Sequence, residues 1–418
     1  MLDLVIIADD FTGALDTGVQ CAKRGVRTCV IADPYAELSK VDPAVRVLVM
    51  DAETRHAAPQ QAYNVIHRAV KQAKQLGVPY IYKKTDSALR GNIGAELTAL
   101  LDASDASSLP FFPAFPQIGR YTIDGIQYID GIPVAESVFG QDPYEPVKHS
   151  SVIDLIAEQS TVRVTSVSVP DCITQIETGI VVYDAQSTQD LVRYGGLLLQ
   201  AGQLGIMAGC AGFGSVLPDL LGLGIEQKQE RPVFDPKLLV LCGSVNPITL
   251  AQLRVAQENG FVRKHIAPAH KLTNNFFSTE EGLEIIDSFR EMLEQNEACI
   301  IDTNDEYGNE PTQAYAAAHG MNAEAVRQLI SGALGDIMKQ LFDCPALGTL
   351  FITGGDTLLQ CMKRIGVLEV EPIGEMLPGV VISRFTLEGR TRFVITKSGG
   401  FGSDNLLLDL KDMLRSDL

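Results

Sequence analysis

The sequence predicts an α/β protein of two domains, each with a mostly parallel sheet flanked by helices, with the active site in the cleft between them. Three observations carry this expectation. Short apolar runs repeatedly end in polar or glycine residues and then give way to helical periodicity, the pattern of parallel βα units with ligand loops at strand carboxyl ends. The chain has 418 residues, too many for one ordinary core and enough for two of roughly 200 each. Between two such series lies GIEQKQERPVFDPK (224–237), polar with two prolines, which sets the expected domains at 1–230 and 237–418.

In the first series, residues 2–7 read as a strand that ends at Asp9 and Asp10, and Thr12 with Gly13 opens a helix through Ala22 that stops near Gly25. Residues 26–31 and 45–50 are the next strands; the latter ends at Asp51 and leads through Glu53, Thr54 and Arg55 to a helix over 60–76 closed by Gly77. A fourth strand spans 80–83. YTIDGIQYIDGIPV (121–134) sets two Asp-Gly pairs between short β-rich stretches, the mark of an antiparallel ribbon. The α/β rhythm resumes at 180–183 before Asp184, and GIMAGCAGFGS (205–215) is a last strand running into a glycine-rich turn. Past the boundary, a strand at 238–241 breaks at Gly243 and Ser244, and Asn246 with Pro247 starts a helix that ends near Gly260. The rhythm then repeats at 299–301 before Asp302, at 350–352 before TGGDT (353–357), and at 393–395 before TKSGGFGSDN (396–405).

Composition narrows the function. Hydrophobic residues make up 46% and charged residues 21%, the balance of a compact enzyme and not of a disordered chain. Fifty-two acidic against thirty-four basic residues leave a net charge of -18, which repels nucleic-acid backbones and anionic membranes. An anionic metabolite would bind only through local Arg, Lys and backbone donors. Eight scattered cysteines without a CxxC pair read as reduced, mostly buried thiols. The opening residues lack a cationic leader, and no apolar run is long enough to span a bilayer, so a cytoplasmic location is expected. Walker A, GxSxG, HExxH and GxGxxG patterns are absent, so a phosphate site must be built another way.

Asp9 and Asp10, at a strand carboxyl end, are placed to hold sugar hydroxyls or a metal; the bland alternative is a pair of acids decorating a helix N-terminus. KKTDSALRGNIGAE (83–96) packs Lys84, Thr85, Asp86, Ser87 and Arg90 into one turn, with two glycines expected to let backbone approach a ligand. Its cations would hold a carboxylate while Asp86 and Ser87 select hydroxyls, against the alternative of a solvated loop. Arg55 and Arg120 add carboxylate clamps, although each singly is as well explained as a surface arginine. In TGGDT, the amides of Gly354 and Gly355 and the following helix start form a phosphate cradle with Thr357, and Asp356 is the candidate for base or metal orientation. KSGGFG repeats the idea with Lys397 in front of Gly399 and Gly400, and Gly243 with Ser244 makes a third small turn. For Gly209, Gly212 and Gly214, helix packing and ligand contact explain the glycines equally well. His56, beside Arg55, is the one histidine near a candidate site.

These motifs, ADDFTGALDTG (8–18), YKKTDSALRGNIGAE (82–96), the GR at 119–120, GSVNPIT (243–249), TGGDT and KSGGFG, resemble the four-carbon acid sugar kinase family over essentially the whole chain. The loop at 83–96 is more similar to D-threonate and D-erythronate kinases than to 3-oxo-tetronate kinases. The resemblance implies an N-terminal sugar-acid domain, a C-terminal nucleotide domain and ATP-dependent phosphorylation of a terminal hydroxyl. By position it puts the sugar acid at Asp10, Arg55, Lys84, Thr85, Asp86 and Ser87, and ATP at Ser244, at Gly354 to Thr357 and at Gly400. The expected function is therefore an ATP- and Mg²⁺-dependent kinase acting on the 4-hydroxyl of D-threonate, with D-erythronate or 3-oxo-tetronate as alternatives. Asp356 and Lys397 are the expected catalytic residues and a homodimer the default state. A sugar-acid dehydrogenase or lyase lacks its GxGxxG, and a non-enzymatic two-domain sugar-acid sensor leaves the glycine-equipped second domain without a purpose.

Overall fold

A strand reading LVIIA has no polar side to turn toward water, and every residue of β1 (Leu4–Ala8) is buried. The same is true of β2 (Thr28–Ile31) and β3 (Val47–Asp51), and of β4 (Tyr80–Lys84) beyond its first residue, as a parallel sheet covered on both faces requires. The structure is a computed structural model that describes residues 1–141, 146–168, 177–224, 233–377, 379–397 and 400–416. It divides into two units, Met1–Lys228 and Gln229–Leu418. Within the polar 224–237 stretch expected to mark the boundary, residues 225–232 lie outside the described residues.

The first unit adds β5 (Ser108–Phe112), the ribbon strands β6 (Arg120–Ile123), β7 (Ile126–Ile129) and β8 (Ile132–Pro133), then β9 (Val164–Val167), β10 (Gly179–Tyr183) and β11 (Ile206–Gly209). Its main sheet runs β2-β3-β1-β4-β11-β5-β10-β9 with every pairing parallel. The chain first moves from β1 to β2, returns through β3, and crosses to β4 on the far side of β1, so the order reverses about β1. Ligand crevices form at the strand carboxyl ends beside such a reversal. The ribbon β6-β7-β8 is antiparallel, and both residues of each Asp-Gly turn have positive φ (Asp124 51°, Gly125 73°; Asp130 50°, Gly131 83°), the geometry that suits a two-residue hairpin.

In the second unit, β12 (Leu238–Cys242), β13 (Val262–His265), β14 (Ala298–Asp302), β15 (Thr349–Thr353), β16 (Glu369–Leu377), β17 (Val380–Leu387) and β18 (Arg390–Lys397) form the order β13-β14-β12-β15-β18-β17-β16. The reversal about β1 recurs about β12. Pairing is parallel from β13 to β18 and antiparallel through β18-β17-β16.

The buried strand β5 was not assigned from the sequence, because its Pro110 signals a break. The edge strands β9 and β13 escaped notice because VTSV and VRKH are only partly buried and carry no apolar pattern. The last βα repeat also differs, since β18 arrives from a hairpin and not from a helical crossover. Bulges between Pro372 and Gly374 and between Glu375 and Leu377 hide the alternation of β16.

Glycines 209, 212 and 214 resolve as packing residues. A β-carbon on them would meet Phe112 O at 2.5 Å, Ala114 O at 2.4 Å and Thr17 Cγ2 at 2.7 Å. The seven described cysteines are buried thiols; Cys172 lies outside the described residues. Among the described residues no helix is long and apolar enough to cross a membrane.

Candidate active site

Register assembles the first half of the site. Ala8 pairs with Asp51 on one side and Lys84 on the other, so the residues leaving β1, β3 and β4 emerge level. Asp10 caps the helix Phe11–Ala22, accepting from the Gly13 amide at 3.0 Å. The Arg55 loop hangs from Asp9, whose carbonyl accepts from the amides of Thr54 (3.1 Å) and Arg55 (3.2 Å). The Arg55 guanidinium then reaches Asp9 at 2.7 Å, Asp10 at 2.6 Å and Asp86 at 3.7 Å. Lys84 Nζ lies 3.2 Å from both Asp9 and Asp10.

The turn after β4 completes the cluster. Arg90 clasps Asp86 with two bonds, at 2.8 and 2.9 Å, while Asp86 also accepts from the amides of Ala88 and Arg90. Arg120, at the start of the ribbon, donates to Ser87 Oγ. Gln127 of the ribbon holds the same turn by donating to Ser87 O at 3.0 Å, so the ribbon supports the site. Asp10, Arg55, Lys84, Asp86, Ser87, Arg90 and Arg120 thus come together as the sequence predicts, joined by Asp9. Thr85 is fully enclosed; its amide donates to Gly209 O at 2.7 Å and its Oγ1 has no hydrogen-bond partner among the described residues. His56 is exposed on the Arg55 loop.

Electrostatics keep these groups ionised. Burial opposes the charge on Asp10, but Arg55 and Lys84 overcome it and hold the carboxyl below its usual range. Asp86 is likewise driven down, against burial, by Arg90 and Arg55. Lys84 is raised, with Asp10 and Asp9 outweighing burial. Arg120 differs: burial lowers it, aided by the neighbouring Arg90 and opposed by Asp86, which lies beyond ion-pair distance.

The two glycines of the RGNIGAE segment do not open the backbone toward a ligand. A β-carbon on Gly91 would meet Arg55 O at 3.2 Å, and one on Gly94 would meet Ile156 O at 2.4 Å, so both seat protein against protein. Asn92 donates to Thr54 O and Ala57 O at 2.8 Å each, and Glu96 accepts from Thr54 Oγ1 while pairing with buried Lys83 at 3.1 Å. Lys83 in turn donates to Lys84 O at 2.7 Å. This network, which the sequence reading missed, ties the Arg55 loop to the end of β4. Gly13 was missed as well: a β-carbon there would fall 1.8 Å from Lys84 Nζ and 2.5 Å from Asp10 Oδ1.

In the second unit, register sets Asp302, Cys242, Thr353 and Lys397 in one row at the carboxyl ends of β14, β12, β15 and β18. From that row emerge the Gly243-Ser244 turn, the Gly354–Thr357 turn and the segment after Lys397. Gly354 has φ 110°, conformational space that side chains rarely enter, and caps the helix Gly355–Arg364. A β-carbon on Gly243 would meet Thr357 Oγ1 at 2.0 Å, so the first two turns are in contact. Ser244 O accepts from Asn304 Nδ2 at 3.1 Å; Asn304 is another residue the sequence reading did not select. Asp356 is half-exposed in the first helical turn and pairs with Arg327 at 2.6 Å. Lys397 is buried, donates to Thr249 Oγ1 at 2.9 Å and Phe401 O at 3.3 Å, and is lowered by burial to about 8. Gly400 is exposed, with nothing within 4 Å of a β-carbon placed on it. Gly399 lies outside the described residues.

These turns suit a polyanion. The main chain at Gly354 stands beside the Ser244 amide, which lies 3.6 Å from the position of a β-carbon there, and the buried Thr353 Oγ1 has no hydrogen-bond partner among the described residues. No cluster of three or more metal-ligating side chains occurs among the described residues.

Comparison with known proteins agrees with this division. Residues 4–217 match the sugar-binding N-terminal domain family, and residues 239–407 match the nucleotide-binding C-terminal domain family. The chain is 29% identical to the D-threonate kinase of Salmonella typhimurium (98% of this chain, 97% of that protein). It is 28% identical to the D-erythronate kinase of Heliobacterium modesticaldum (99% and 97%) and 25% identical to the 3-oxo-tetronate kinase of Burkholderia multivorans (95% and 94%). A solved Salmonella typhimurium LT2 protein, 21% identical, shares the fold with a TM-score of 0.77 over 98% of this chain and 99% of that one. With both domain matches covering the two clusters just described, the chain belongs to the four-carbon acid sugar kinase family and is an ATP-dependent kinase.

Proposed function

We propose that this kinase transfers the γ-phosphoryl group of ATP to the 4-hydroxyl of D-threonate, with D-erythronate the nearest alternative acceptor. One observation carries the reading. In the first unit three carboxylates, Asp9, Asp10 and Asp86, face four cations, Arg55, Lys84, Arg90 and Arg120, which leaves one positive charge for a substrate monocarboxylate. A neutral polyol would leave that charge unmatched.

In this reading Arg120, with Arg90 beside it, takes the substrate carboxylate. Asp10, whose side chain is 24% exposed against 2% for Asp9, accepts from sugar hydroxyls together with Ser87 and Asp86. Arg55 and Lys84 hold the aspartates ionised and fixed in direction, so little reorganisation accompanies binding. In the second unit the main-chain amides around Ser244, Gly354 to Thr357 and Gly400 bind the phosphates, and Lys397 adds positive charge. Mg²⁺, when bound, offsets the charge that develops on the phosphates during transfer. Asp356, once released by Arg327, would help to hold that ion or take the hydroxyl proton.

A coupled assay for ADP across D-threonate, L-threonate, D-erythronate, 3-oxo-tetronate and threitol tests this directly. D-threonate should give the highest kcat/KM, and threitol should give none. Turnover of threitol at a comparable rate would refute the carboxylate argument.

A further inference from the structure

We infer that Phe139 is a positioning residue of the sugar-acid site, its ring packing on the guanidinium groups of both Arg90 and Arg120 and so holding Arg120 where it can receive the substrate carboxylate. The inference rests on the sugar-acid reading above and assigns a role to a residue outside every motif in the sequence.

The Arg90 and Arg120 guanidinium carbons lie 5.2 and 5.1 Å from the centroid of the Phe139 ring. The two guanidiniums repel, and each needs a reason to stay. For Arg90 the reason is Asp86, which it clasps with two hydrogen bonds. Arg120 donates to the Ser87 hydroxyl and packs on the ring, and Asp86 attracts it from beyond ion-pair distance. A carboxylate in place of the ring would hold Arg120 more tightly but would cancel its charge and occupy the donors that a substrate needs. An aromatic face attracts a cation through its quadrupole, takes no N–H donor and adds no charge. The ring therefore fixes the guanidinium without taking its N–H donors or adding a further negative charge.

The backbone fixes the ring in turn. Phe139 accepts from the Val147 amide at 3.0 Å and donates from its own amide to Ser137 Oγ at 3.2 Å. Its half-buried side chain packs on the core cluster of the first unit. Among the described residues, the side-chain contacts of Phe139 with charged groups of this unit are those with the two arginines, so its influence should run through them and be felt in sugar-acid binding.

The test uses the full-length protein with Phe139→Leu, which keeps apolar bulk but removes the ring face, and Phe139→Tyr, which restores the face. With the best four-carbon acid as substrate, Phe139→Leu should raise its KM about 3- to 30-fold. The kcat and the KM for ATP should stay near wild type, and Phe139→Tyr should recover most of the loss. In an Arg120→Met background, adding Phe139→Leu should have little further effect on KM. An unchanged sugar-acid KM in Phe139→Leu, a fall in kcat with KM unmoved, or full additivity with Arg120→Met overturns the inference while leaving the kinase reading intact. If the wild-type protein turns over none of the four-carbon acids although ATP binds, the sugar-acid reading falls and the inference falls with it.

Discussion

Two residues show how narrowly the clusters are tuned. The first turn of the helix Phe11–Ala22 passes so close to Lys84 that only glycine fits at position 13, because a β-carbon would lie 1.8 Å from Nζ. The obstructed atoms are the ends of two side chains, Lys84 and Asp10, and no backbone, so Gly13→Ala should fold and should relieve the clash by driving Lys84 and Asp10 apart. Loss of that charged contact predicts a fall in kcat/KM for the sugar acid of roughly 10- to 100-fold, with the KM for ATP unchanged. A thermal midpoint close to wild type would confirm that the defect is local. Lys397 is tuned by pH. Burial lowers it from the ordinary 10.5 to about 8, so above pH 8 the folded protein loses the cation proposed to face the nucleotide phosphates. The kcat/KM for ATP should therefore fall through an apparent pKa near 8, and Lys397→Arg should carry that limb beyond about pH 10. The same shift acts oppositely on stability. Between about 8 and 10.5 the unfolded chain binds the more protons, so this group's contribution to folding rises across that window as activity declines.

At the scale of elements, the loops carrying Arg55 and Lys84 are held in place by a buried ion pair that no substrate touches. Lys83 and Glu96 are fully buried and 3.1 Å apart, and each has a hydrogen bond to one of the two loops. Lys83→Met alone should destabilise the protein by about 3–5 kcal/mol, because Glu96 is left charged and unpaired. Combining it with Glu96→Leu should recover most of that loss in a urea titration, while the sugar-acid KM stays raised because Thr54 has lost its acceptor. Failure of the double variant to recover would mean that the two residues do not act as a unit. This network also marks where sequence reading stops. Strand ends such as Ala8 and Thr353 were legible because apolar runs ended abruptly in Asp, Gly or Thr. The partners of Asn92 and Glu96 lie some 40 residues upstream in sequence, at Thr54, and periodicity does not encode that contact. For the same reason two glycines expected to face a ligand were found to face Arg55 and Ile156.

At the scale of the whole chain, two units repeat one device, a reversal of strand order about the first strand with the functional loops at its carboxyl end. One unit fills that position with charged side chains and the other with glycine turns. The βα rhythm made both visible in advance, whereas the assignment of sugar acid to one half and nucleotide to the other came from the resemblance to the kinase family. The order of strands was not legible, since β16, β17 and the edge strands carry bulges or half-polar sequences that mask their period. The account depends on this division between sugar acid and nucleotide. Isothermal titration of Asp86→Ala and Gly400→Val with the best four-carbon acid and with a non-hydrolysable ATP analogue measures it most directly. Asp86→Ala should lose the acid and keep the analogue, and Gly400→Val, at a position with open space around it, should keep the acid and lose the analogue. Equal loss of both ligands in either variant, with the fold intact, would contradict the account.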